Sequence, residues 1–111
     1  MSDAMERLIE AVAAGQSRPK IEDLACGPWP DDGSIWTGTA AAAHGDMNAA
    51  LSILAALLPD HDWGRAPGGQ MWVQRPPAAP VWSGDGYEPA RGLLLAILRA
   101  KLAENHQHQD V

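Results

Sequence analysis

All five tryptophans of this 111-residue chain (Trp29, Trp36, Trp63, Trp72 and Trp82) fall between two stretches that read as terminal helices, and there is no phenylalanine. Tryptophan is the largest apolar side chain, and its single N–H wants a partner when buried. The middle of the chain therefore has to build a tryptophan layer, which helices pack against or a partner uses. We expect Trp72 to be buried and at least one of Trp29, Trp36 and Trp82 to be partly exposed.

Three stretches repeat apolar residues at helical spacing. In the first, Met5, Leu8, Ile9 and Val12 share a face, with Ser2 or Asp3 as cap and Gly15 as stop. The second starts at Asp46, a good N-cap, and runs to about Leu58 before Pro59 ends it. The last begins near Glu88 with Pro89 in its first turn, and carries Leu94, Ile97, Leu98 and Leu102 as its stripe. The tail, residues 105–111, is polar and expected to fray.

Residues 16–45 read as an irregular Pro/Gly-rich segment, because Pro19, Gly27, Pro28, Pro30, Gly33 and Gly38 punctuate it. Within it, Ser34 to Thr39 has the β-branched and aromatic content of a short strand. Three aromatic pieces follow Pro59: Asp60 to Arg65, Gln70 to Arg75 and Ala79 to Ser83. Ala66-Pro67-Gly68-Gly69 looks like a hairpin loop between the first two. Pro80 suits an edge for the third. The expected fold is a single α+β domain over residues 1–111. A small antiparallel sheet of about three strands packs against about three helices in a two- or three-layer sandwich.

Charge and composition exclude several functions. A formal net charge of -6 opposes sequence-independent nucleic-acid binding, which needs a basic surface. The same charge suits a basic protein surface, including one that normally holds nucleic acid. A single cysteine, Cys26, cannot form an internal disulfide, so a cytoplasmic setting is expected. No stretch approaches the ~20 apolar residues that span a membrane.

No motif carries a reaction. Asp60-His61-Asp62 tempts a metal reading, with His44 and Asp46 as a second pair, but the tight His/Cys spacings of zinc sites are missing. His106 and His108 lie in the polar tail. Cys26 is a nucleophile only if a base such as His44 or His61 folds beside it, and its neighbours suggest an apolar anchor. Asp31-Asp32-Gly33 reads as a turn, since the other ligands of a calcium loop are absent. Gly64 to Gly69 lacks the lysine and spacing of a P-loop. The start of the last helix would suit an anion beside Arg91, were Asp85 and Glu88 not there to repel it. No metal, cofactor or catalytic residue is assigned.

Two runs resemble a known family. Gly45-Asp46-Met47-Asn48-Ala49-Ala50-Leu51, followed by Leu57-Leu58-Pro59, Trp63 and Trp72-Val73, resembles small phage and prophage proteins in which a helix ends in a Leu-hydrophobic-Pro step and enters a Trp-bearing strand. Their closing helix is similar to Glu88-Pro89-Ala90-Arg91-Gly92-Leu93-Leu94-Leu95 and Ile97-Leu98-Arg99-Ala100 here. The family is the phage α–β–α sandwich domain of unknown function. The resemblance covers residues 45–102. It departs at Pro59-Asp60-His61-Asp62-Trp63, where the family has a tighter Pro-x-Gly-Trp-x-Trp step. It implies a sandwich fold and a virus-derived accessory gene, and offers no catalytic residues.

The leading expectation is therefore a non-enzymatic accessory protein that binds a host or viral protein, in the manner of a counter-defence inhibitor. The alternative is a protein that sequesters a nucleotide-like ligand. There Trp29, Trp36 or Trp82 would stack on the base, while Arg65, Arg75 or Arg91 hold phosphate. A third reading, a small hydrolase using Asp60, His61 or Cys26, lacks a nucleophile set beside a base. Homo-oligomerisation is a further expectation for so small a domain.

Overall fold

A computed structural model describes residues 3–84 and 87–109, with side chains over 4–84 and 87–104. Ser2 as a cap, Asp85 beside the last helix, the side chain of Asp3 and the imidazoles of His106 and His108 lie outside this description. The elements run α1 (Asp3–Ala13), α2 (Arg18–Ala25), α3 (Gly33–Ala43), α4 (Met47–Leu57), β1 (Asp62–Arg65), β2 (Met71–Gln74), β3 (Val81–Trp82) and α5 (Pro89–Gln109). The chain is an α+β domain.

The middle of α5 organises the rest. Ala90 and the six consecutive residues from Leu93 to Leu98 are fully buried. A helix apolar on all sides must be packed on all sides. Helices α1, α3 and α4 pack around α5, and β2 and β3 lie against it too. Helix α2 joins this shell by packing on α1 and α3. Met5, Leu8 and Val12 of α1 and Ile53 and Leu54 of α4 supply facing core residues. Burying each such side chain is worth roughly 1.5–3 kcal/mol.

The sheet is an antiparallel meander in the order β1-β2-β3. Trp63 pairs with Val73 and Gly64 with Trp72, while Trp72 pairs with Trp82 and Val73 with Val81. Side chains alternate faces along a strand. Met71 and Val73 are buried, which sets their face against α5. Trp72 and Gln74 therefore point the other way, and both are half-exposed.

Helix α4 begins where the sequence predicts, with the Asp46 carboxylate accepting the Ala49 N–H at 3.1 Å. Just before it, Gly45 at φ +102 closes α3, its N–H reaching Ala42 O while the Asp46 N–H reaches Ala41 O. Only a residue tolerant of the left-handed region makes this turn cheaply.

The expectation for residues 16–45 is corrected. The segment holds two helices, so the molecule has five rather than three among the described residues. Pro19 lies in the first turn of α2, where no N–H bond is lost. The expected strand Ser34 to Thr39 belongs to α3. There the Asp32 carboxylate accepts the Ile35 N–H at 3.2 Å, and the Thr37 hydroxyl donates to Gly33 O at 2.7 Å. Bonding to the carbonyl four residues back satisfies the Thr37 hydroxyl within the helix. Of the tail, residues 105–109 continue α5, and residues 110 and 111 lie outside the description.

Candidate functional site

The face of the sheet turned away from α5 carries the row Gly64, Trp72, Trp82. Its geometry follows from hydrogen-bond alternation. The Ser83 N–H donates to Met71 O at 2.9 Å, so Met71 and Ser83 form a bonded pair. The neighbouring pair, Trp72 and Trp82, is then a non-bonded one, in which side chains approach most closely. Such a cross-strand aromatic pair contributes roughly 0.2–1 kcal/mol. On the other flank of Trp72, a Cβ added to Gly64 would lie 2.4 Å from Trp72 Cζ2. The Trp72 indole thus lies across the bare backbone of β1, in space only glycine leaves open.

Trp72 is half-buried, where the sequence predicts it buried. Its strand partners hold it, but the core does not cover it. Trp82 is 41% exposed and Trp63, on the edge strand, 42%; these are the exposed large apolar side chains among the described residues. Trp63 stands opposite Val73, on the α5 side of the sheet, at the outer edge.

The display is anchored from behind. Arg99 of α5 donates through Nη1 to Trp82 O at 3.1 Å and also to Ser83 O. The Ser83 hydroxyl, itself buried, accepts the Met71 N–H at 3.1 Å. Gln74 Nε2 donates to Ala78 O at 2.8 Å, tying down the β2–β3 connection. Exposed Asp62 shares the face of this row, while exposed Arg65, opposite Met71, points to the α5 side.

The six residues read as binding candidates do not converge. Trp82, Arg65 and Arg75 lie on or beside the sheet. Trp29 and Trp36 are half-buried against the core at the α2–α3 end, with the Trp36 indole N–H donating to Trp29 O. Arg91 is engaged, because its Nε donates to Ala43 O at 2.9 Å. A cation there answers the partial negative charge at the end of α3. The start of α5 is also occupied: the Glu88 carboxylate accepts the N–H groups of Ala90 at 2.8 Å and Arg91 at 3.3 Å. An anion arriving there would meet a carboxylate already in place.

Trp72 on this face, Arg99 that anchors it from behind, and Trp63 at the outer edge on the α5 side were not among the residues read as binding candidates. The alternation Met71-Trp72-Val73 held the clue, since two apolar residues flanking a tryptophan compete for the same buried side. Arg99 gave no such signal, because its role depends on where β3 ends.

The other candidates stay apart from one another. Cys26 donates its thiol to Glu22 O at 3.5 Å, within its own helical turn. The open groove beside it is lined by Arg18, Pro19, Glu22, Asp23 and Trp36, with no histidine among the described residues. His44 Nε2 lies 3.0 Å from Gln16 O. Asp32 accepts from the Ser34 hydroxyl at 2.6 Å, and this bond, then that from the Ile35 N–H, holds its carboxyl below the ordinary value. No group of three or more His, Cys, Asp or Glu is placed to hold a metal ion among the described residues. No described helix is long and apolar enough to cross a membrane.

The chain matches no known family model, no curated protein and no solved structure.

Proposed function

We propose that this chain is a non-enzymatic binding protein whose partner, a host or viral protein, docks on the tryptophan face of the sheet. The observation that carries the reading is the pairing of Trp72 with Trp82 on a face that no described helix covers, with Trp82 41% exposed. Tryptophan is enriched at the energetic centres of protein interfaces, because it gives large contact area for few lost rotamers. The net charge of -6 favours a partner with a basic surface and speeds its approach. The backbone under Trp82 is fixed by Arg99, so little ordering is needed on binding. The resemblance to phage sandwich domains supports a viral accessory role.

Native mass spectrometry on gently purified protein tests this. Wild type should retain a protein at defined stoichiometry, Trp82→Ser should lose it, and Trp36→Phe should keep it. A partner held equally by Trp82→Ser would place docking elsewhere. A retained mass of a few hundred daltons in place of a protein would favour the nucleotide-like ligand.

A further inference from the structure

The free edge of β1 offers a second and separate surface. The Ala66 N–H donates to Gln70 O at 2.8 Å, which places Ala66, Gly64 and Asp62 as the residues whose backbone bonds point to β2. The N–H and C=O groups of Trp63 and Arg65 therefore point away from the sheet. Among the described residues they have no partner there. An open strand edge is a template for another strand.

Few registers fit a second copy. Two antiparallel β1 strands related by a two-fold axis normal to the sheet pair residues of the same face. Trp63 opposite Trp63 would require a bonded pair between His61 and Arg65, but the His61 N–H is already given to Leu58 O at 3.1 Å. Arg65 opposite Arg65 would set Trp63 against Pro67, which has no N–H. Trp63 opposite Arg65 satisfies every open group, with two bonded pairs and four hydrogen bonds.

The side chains agree with this register. Trp63, 42% exposed, would face Arg65 of the second copy on the same side of the sheet, a cation over an aromatic ring. Gly64 would face Gly64 across the axis, in the close pair where bare backbone leaves room for both Trp72 indoles. Asp62 would face Ala66, so no like charges are set directly opposite each other.

We propose that two copies of this chain join antiparallel through β1, Trp63 of each opposite Arg65 of the other, to form a six-stranded sheet. The pairing stands independently of the proposed function. It would carry the Trp72/Trp82 face unbroken across both copies. A four-residue edge buries less than the ~1,000 Å² of stable interfaces, so the dimer is concentration-dependent.

Sedimentation equilibrium from micromolar to millimolar protein is the test. The mass should rise from 11.8 kDa toward twice that value. Arg65→Pro removes an N–H that makes no bond within one copy, and should keep its circular dichroism while remaining monomeric. In a Cys26→Ser background, mixed Asp62→Cys and Ala66→Cys chains should form a disulfide heterodimer on oxidation, well above either chain alone. A monomer at millimolar concentration would overturn the proposal and leave the edge to an extended segment of another protein. So would a dimer unaffected by Arg65→Pro, or cross-linking no greater in the mixture than in the single chains.

Discussion

Helix α5 and the β2–β3 hairpin meet along one seam, yet they treat their large side chains in opposite ways. From Leu93 to Leu98 the helix hides every residue, leucine and alanine alike. The hairpin hides Met71 and Val73 and leaves Trp72 and Trp82 half-covered on its far side. The helix has neighbours on every side, whereas a thin sheet at the margin of the molecule has one covered face. Apolar area is worth roughly 25 cal/mol per Å² when removed from water, so leaving two adjacent tryptophans partly wet forgoes stability that burial would give. The same residues then remain free for a partner. Stability lives in α5, and the recognition proposed for this chain lies in the sheet.

The largest expected effect falls on the helix side. Leu94→Ala should cost about 2–5 kcal/mol in a urea denaturation series, since the surrounding core cannot collapse fully onto the missing atoms. A loss under ~1 kcal/mol would mean that α5 is not the packed centre.

Gly64→Ala comes next and probes the seam between β1 and the indole. The new methyl cannot coexist with Trp72 Cζ2 at 2.4 Å, so the ring must lift. The expected cost is about 1–3 kcal/mol, with a rise in acrylamide quenching as Trp72 becomes more exposed. Unchanged quenching would show that the indole does not lie over this glycine.

Trp82→Ser should cost about 1–2 kcal/mol, from the cross-strand pair and the covered part of the indole, in the same urea assay. A loss as large as that of Leu94→Ala would erase the contrast between the two regions.

The smallest effect is electrostatic. The Asp32 carboxyl is held below its ordinary 3.8 by the Ser34 hydroxyl and the Ile35 N–H. A depressed folded value means the contribution is complete above the unfolded value and is lost as pH falls through the folded one. Wild type should therefore lose more stability than Asp32→Asn as acid titration passes below pH 3.8. Parallel curves for the two proteins would remove Asp32 from the acid response.

How far the sequence reveals this depends on the competing local signals. The starts of α4 and α5 were readable because Asp46 and Glu88-Pro89 mark them and a leucine stripe follows. The meander was readable from aromatic runs separated by Pro and Gly. Helices α2 and α3 were hidden, because Pro19, Gly33 and Gly38 count as breakers when their position within a turn is unknown. Pro19 falls in a first turn, and Gly38 lies where a Cβ would come within 3.4 Å of Ile53, a seam that rewards a missing side chain. The site was half legible. Trp82 stood out as a candidate, while the bond that engages Arg91 reaches Ala43 O 48 positions away and leaves no local sequence signal.

The most direct measurement is indole N–H broadening by a neutral, soluble paramagnetic chelate, read from the five tryptophan signals. The open-face reading predicts strong broadening for Trp82 and Trp63, less for Trp72, and the least for Trp36, whose N–H is held by Trp29 O. Trp82 protected as well as Trp36 in the free protein would mean that the far face of the sheet is covered, and the proposed docking surface would be lost with it.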